Sequence, residues 1–178
     1  DALKFDYGAL ARERGQRLRL IGNLPYNIST PLLFRLLGAA QHVADMHFML
    51  QKEVVDRIVA APGSRQYGRL GVMLAPRVQA HKLLDIGPGA FRPAPQVHSA
   101  VVRMQVRAAP PLWAAEPHYG VVVSAAFGQR RKTLRNALAA LLSAGQIAAA
   151  GVDPGARAET LAPEKFGALA LAAAAVIH

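Results

Sequence analysis

Ile21-Gly22-Asn23-Leu24-Pro25-Tyr26 follows a strand-like run, Leu18-Arg19-Leu20-Ile21, and precedes a helix start at Ser29-Thr30-Pro31. Thr30 is the expected N-cap and Pro31 the first helical residue. Asn23 to Tyr26 then form a loop at the carboxyl end of a strand, feeding a helix. Strand, loop and helix in this order predict an α/β fold, and in open α/β sheets that edge is where ligands bind. The loop offers an amide, a proline-stiffened carbonyl and an aromatic face, a set suited to a flat base with an exocyclic amine.

Such an amine, the N6 of adenine, is a poor nucleophile because its lone pair is delocalised into the ring. Two acceptors holding its hydrogens out of plane push the nitrogen towards tetrahedral geometry. The Asn23 side-chain oxygen and the Pro25 backbone carbonyl are the two acceptors in reach, and Pro25 stiffens the loop that presents them. Tyr26 is placed to stack on a base taken out of its helix. The competing reading is an ordinary strand-to-helix turn with one aromatic packed into the core.

Asn23-Leu24-Pro25-Tyr26 resembles the catalytic motif of amino-group methyltransferases that use S-adenosylmethionine. With Asn27-Ile28-Ser29-Thr30-Pro31 behind it, the likeness narrows to the ribosomal RNA adenine dimethyltransferases. Three further stretches resemble the KsgA (RsmA) branch of that family: Met49-Leu50-Gln51-Lys52-Glu53-Val54, Phe91-Arg92-Pro93-Ala94-Pro95-Gln96-Val97-His98-Ser99, and Phe127-Gly128-Gln129-Arg130-Arg131-Lys132-Thr133-Leu134-Arg135-Asn136. The resemblance implies the C-terminal half of a Rossmann-like class I S-adenosylmethionine-dependent methyltransferase domain, followed by a small all-helical domain. It implies methyl transfer from S-adenosylmethionine to N6 of two adjacent adenosines near the 3′ end of 16S rRNA in the small ribosomal subunit, with a role in ribosome biogenesis. Asn23, Leu24, Pro25, Tyr26 and Phe91 are then the catalytic set, with Tyr26 and Phe91 sandwiching the base. Asp1 matches the Asp that binds the adenine amine of the cofactor, which Asn23 also touches. The family commonly has Lys or Arg where Gln96 stands and often Asp where His98 stands, so the resemblance carries no contact over to those two. Erm-type methylation of 23S rRNA, or a mainly non-catalytic assembly factor, are the alternative readings.

Composition bounds the rest. The chain has 178 residues, 52% of them hydrophobic, enough for one domain or for part of one and a small second. It has no Cys, and its six His are scattered without zinc-helix spacing, so no metal is expected. No apolar run approaches the ~20 residues of a membrane span, and no secretory signal begins the chain. A cytoplasmic monomer is the expectation. Lys and Arg number 21 against 11 acidic residues, a net charge of +10 that favours a polyanionic partner such as rRNA.

Along the chain, a short helix ends at Gly15. Ala44 to Met49 read as a buried strand, Gln51 to Ala61 as an amphipathic helix, and Leu70 to Val78 as another helix. Glu53, one turn into its helix, reads as a cap or ion-pair partner rather than a base. His81 to Ile86 and Val97 to Val106 look like paired strands. Ala108 to Pro111 is the clearest linker, dividing a catalytic part (1–107) from a small RNA-binding domain (112–178). Helices are expected there at roughly 116–127, 130–142, 145–150 and 162–176. Arg130, Arg131, Lys132 and Arg135 fall at an expected helix start, where cations oppose the helix dipole. Binding RNA phosphate explains them better than local stability does. No glycine-rich nucleoside loop stands near residue 1. A polypeptide beginning at Asp1 is therefore expected to lack methyltransferase activity by itself, with an unpaired sheet edge along the strand at 17–22.

Overall fold

The computed structural model describes residues 1–114, 117–129 and 131–175. In chain order the elements are α1 (Tyr7–Arg14), β1 (Leu18–Asn23), α2 (Ser29–Gly38), β2 (Val43–Gln51), α3 (Lys52–Val59), α4 (Arg69–Leu74), β3 (Val78–Ile86), β4 (Ser99–Val106), α5 (Tyr119–Gly128), α6 (Leu134–Ala137), α7 (Ala144–Ala149) and α8 (Pro163–Ala174). They form two compact units.

The first unit comprises Asp1–Val59 and Arg77–Ala109. Its sheet has the order β1-β2-β4-β3. β1 runs parallel to β2, and both pairs made by β4 are antiparallel. Side chains alternate across a strand with period two. Met46, Phe48 and Leu50 of β2 therefore share rows with Met104, Val102 and Ala100 of β4, and all six are buried. Leu32, Leu33 and Leu36 of α2 and Val55 and Ile58 of α3 complete this unit's apolar core. β1 lies at one edge of the sheet, and Ile21 on it is 77% exposed. Asp45 breaks the apolar rule on β2: it is buried, and the Arg19 guanidinium of β1 donates to both its oxygens at 2.9 and 3.1 Å. A buried carboxylate needs such a partner, since burying it alone is costly.

Local caps follow the sequence. Asp6 accepts the Ala9 N–H at 2.8 Å at the start of α1, a bond that holds its carboxyl below the usual carboxylate range. Gly15 ends the helix at φ 61°, a left-handed conformation glycine reaches without a Cβ penalty. Glu53 is ion-paired to Arg57 one turn on, as expected for a surface helix. Asp56 sits between Lys52 at 2.5 Å and Lys82 of β3 at 3.1 Å. The Lys52 hydrogen bond keeps its carboxyl below the ordinary value.

The second unit comprises Ala60–Pro76 and Pro110–His178. Residues 60–76 thus pack with the C-terminal helices, whereas the sequence reading kept them in the part spanning 1–107. Tyr67 and Val72 explain why: both are buried in one cluster with Val122, Val123, Leu134, Leu138, Ile147, Phe166 and Leu169. The Tyr67 hydroxyl donates to Leu161 O at 2.7 Å, and burial pushes its phenol well above the ordinary tyrosine value. α4 stops at Leu74, short of the expected Val78, because Pro76 has no N–H to continue the ladder. The Val72 carbonyl that Pro76 would have served accepts the Tyr119 hydroxyl instead, at 3.0 Å. Val78 opens β3.

The helix expected at 130–142 is also shorter. Arg131 and Lys132 precede Thr133, whose ψ of 159° is extended, and α6 covers Leu134–Ala137 only. Its first amides are already taken: Leu134 N–H donates to Ala156 O at 2.8 Å and Arg135 N–H to Pro154 O at 2.9 Å. Arg131 and Lys132 therefore stand ahead of the helix rather than in its first turn. Arg130 lies outside the described residues.

Gly167 on α8 carries a packing prediction. A Cβ there would lie 2.4 Å from Trp113 O and 2.7 Å from Trp113 Cβ. Alanine gains up to about 1 kcal/mol of helix propensity over glycine, but backbone oxygen at that distance forces the segments apart. Gly167→Ala is expected to lose about 1–3 kcal/mol net. Trp113, the one tryptophan, lies 5.7 Å from the Tyr119 ring and reports unfolding of this unit by fluorescence. An unchanged denaturant midpoint refutes the close approach.

Candidate active site

Asn23 closes the β1 ladder opposite Met49, and the Leu24 N–H continues it by donating to Met49 O at 3.2 Å. Leu24 then turns inward and is buried, anchoring the loop from below. The Ile28 N–H donates to Pro25 O at 3.2 Å, closing a tight turn. That turn is already helix-like, so α2 begins at Ser29, and the Leu32 N–H reaches Ile28 O at 2.9 Å. Thr30 is therefore not the N-cap, and Pro31 takes the third helical position instead of the first. Its missing N–H costs no ladder bond there, because the first four helical amides have no partner within the helix.

Tyr26 is held at both ends. Its carbonyl accepts the hydroxyl of Ser29 at 3.0 Å, and its phenol oxygen lies 3.2 Å from Ser99 Oγ. Phe91 comes from the β3–β4 loop, where its N–H donates to Pro88 O at 3.2 Å and a cis Arg92–Pro93 bond follows. Asn23, Leu24, Pro25, Tyr26, Phe91, Pro93 and Pro95 together line an open cleft of about 300 Å³. The two rings make no ring contact with each other among the described residues.

The chemistry of this cleft is narrow. None of its lining residues carries a charge, so it offers no carboxylate, imidazole or amine for acid–base work. The Asn23 side chain is exposed and has no hydrogen-bond partner among the described residues. Pro25 O has one lone pair taken by Ile28 and one left, since a carbonyl oxygen accepts two bonds. Two unsatisfied acceptor positions beside two aromatic rings fit a neutral, flat, amine-bearing ligand.

The structure thus brings together Asn23, Leu24, Pro25, Tyr26 and Phe91. Asp1 stands apart: it is exposed, does not line the cleft, and accepts the Leu3 N–H through one oxygen at 3.0 Å. Gln96 and His98 are exposed and also outside the lining. Sequence reasoning missed Ser29 and Ser99, both buried hydroxyls; Ser99 was visible as the last residue of the Phe91–Ser99 stretch, but its partner was not. In the second unit, Arg131, Lys132 and Arg135 are all exposed. The Lys132, Leu134 and Arg135 amides bond within the protein, so these residues offer a polyanion their side chains. Among the described residues, no group of three His, Asp or Glu is placed to hold a metal ion, and no helix is long and apolar enough to cross a membrane.

Comparison with known proteins agrees with this architecture. The chain is 57% identical over 161 residues to ribosomal RNA small subunit methyltransferase A of Methylococcus capsulatus, covering 90% of this chain and 62% of that protein. The namesake of Laribacter hongkongensis is 56% identical over 168 residues, covering 93% and 63%. That of Pseudomonas aeruginosa is 53% identical over 171 residues, covering 96% and 63%. The chain therefore spans somewhat under two thirds of the length of these relatives. A dimethyladenosine transferase from Plasmodium falciparum superposes with a TM-score of 0.72 at 20% identity, covering 95% of this chain and 68% of that one. The 23S rRNA methyltransferase ErmE superposes at 0.68 with 22% identity, covering 88% and 65%. Both share the fold, and identity so low carries no more than that. The family model for ribosomal RNA adenine dimethylase matches residues 1–174, from the turn before α1 to the end of α8. With that model matched over residues 1–174, this chain belongs to the ribosomal RNA adenine dimethylase family.

Proposed function

We propose that the chain is the substrate-base and RNA-binding part of an enzyme that dimethylates adenine N6 on two adjacent adenosines near the 3′ end of 16S rRNA. The observation that carries this reading is the cleft itself: an Asn23 amide without a partner and a Pro25 carbonyl with one, among the described residues, beside Tyr26 and Phe91, with no charge among the lining residues. The Asn23 oxygen and Pro25 O accept the two amine hydrogens and turn the nitrogen lone pair away from the ring. Tyr26 and Phe91 stack on the extruded base, each worth roughly 1–3 kcal/mol. The sheet fixes the loop in advance, so little ordering remains when the base binds.

S-adenosylmethionine, when bound, supplies an electrophilic methyl group, and no covalent protein intermediate is needed. Asn23 and Asp1 are the residues of this chain proposed to touch it. Asp1 fits in chemistry, because one carboxylate oxygen remains without a partner among the described residues after Leu3 is served. The exposed Arg131, Lys132 and Arg135, with Arg130 before them, are proposed to hold rRNA phosphate in the small subunit.

Methyl incorporation into immature small subunits against large-subunit RNA tests the substrate, using this chain within a polypeptide of the relatives' full length. Transfer to small subunits is expected, and transfer to large-subunit RNA alone favours the Erm-type reading. Reversing Arg131, Lys132 and Arg135 to Glu is expected to weaken subunit binding. The slope of log affinity against log salt should shrink by about 0.7–0.9 for each phosphate no longer held. An unchanged slope assigns this surface to solvent or protein.

A further inference from the structure

We infer that Ser99 is a positioning residue for Tyr26, fixing the stacking ring to the sheet; this rests on the proposed reading of the cleft. Ser99 is 1% exposed, and its hydroxyl has a single partner among the described residues, the Tyr26 phenol oxygen at 3.2 Å. Its backbone is the first residue of β4, paired with Gln51 of β2 on one side and Ile86 of β3 on the other. The hydroxyl is therefore presented from the interior of the sheet, while Tyr26 sits 40% exposed on a loop. Turning the ring away would strand a buried hydroxyl, which is the expensive outcome for a polar group shut off from water.

Ser29 does a different job. It is also buried and bonds the Tyr26 carbonyl at 3.0 Å, so it fixes the turn but leaves the ring free to rotate about its side-chain bonds. Ser99 removes that freedom from the far end. It also lies eight residues after Phe91 on the same connection into β4, so one strand start ties the two rings to a common frame. The base then meets a ring already in its stacking plane.

The test is a double-substitution cycle on single-turnover methylation of immature small subunits, with this chain in a polypeptide of the relatives' full length. Ser99→Ala and Tyr26→Phe are each expected to slow transfer five- to tenfold, and the double variant no further than either. Multiplying effects in the double variant, or a normal rate in Ser99→Ala, overturn the assignment. A second readout needs no turnover. With 3-fluorotyrosine incorporated in the 178-residue chain, the four tyrosines give separate ¹⁹F signals, and Tyr26→Phe identifies the one from Tyr26. Ser99→Ala is expected to shift the Tyr26 signal and leave those of Tyr7, Tyr67 and Tyr119 in place. An unmoved Tyr26 signal, or four moving together, refutes the positioning role. A wild-type protein that transfers no methyl groups yet shows the selective shift counts against the proposed function and not against the Ser99–Tyr26 linkage.

Discussion

Asn23→Ala is expected to lower methyl transfer by at least ~10²-fold, the scale of removing one preorganised transition-state interaction, about 2.7 kcal/mol. The residue ends β1 in register with Met49, so the sheet holds its backbone. Its amide has no protein partner among the described residues, so alanine removes a group that holds nothing else up. Little loss of fold stability should accompany the loss of rate. Pro25 O cannot replace it, because one of its lone pairs already serves Ile28. The defect should appear in the chemical step and much less in cofactor affinity. Single-turnover rates and calorimetric titration on the same preparation separate the two. Near-normal chemistry in Asn23→Ala removes this residue from the site.

Tyr26→Ala and Phe91→Ala are expected to be the next most damaging. Each removes a stacking face worth roughly 1–3 kcal/mol, or about 5- to 150-fold in the affinity for the extruded base. Both side chains line the cleft and neither belongs to the buried core, so the loss should fall on RNA engagement rather than folding. Tyr26→Phe keeps the ring and loses only the bond to Ser99, and should stay within tenfold of the parent. Binding of an RNA with 2-aminopurine at the target position follows the base leaving its stack. A Tyr26→Phe variant as damaged as Tyr26→Ala would transfer the role from the ring to the hydroxyl and end the stacking account.

Much of this molecule was legible from its residues. The β1–loop–α2 unit follows from an apolar strand, a proline in the loop and a run of leucines at helical spacing. The α1 stop follows from Gly15, and Glu53, read as a cap or an ion-pair partner, proved to be the latter, paired to Arg57. Asn23, Pro25 and Tyr26 follow one another in the chain, whereas Phe91, 68 positions after Asn23, joined them only through the family resemblance, and the cleft lining now brings the four together. Helix ends were less legible, because backbone donors can be served by partners distant in sequence. Ile28 caps α2 through a turn that Pro25 closes. The Pro154 and Ala156 carbonyls take the first amides of α6, and the Tyr119 hydroxyl takes the carbonyl that Pro76 leaves idle.

Tertiary structure alone decided three things. Residues 60–76 joined the helical unit because Tyr67 and Val72 found buried partners there, which no local pattern signals. Arg131 and Lys132 stand ahead of a helix instead of within one, since Thr133 is extended and the carbonyls of Pro154 and Ala156 take the Arg135 and Leu134 amides. Ser99 met Tyr26 across 73 positions of sequence. A serine's pattern in sequence is the same whether its hydroxyl faces water or the one phenol that needs fixing; only the register of β4 between β2 and β3 turns it towards the loop.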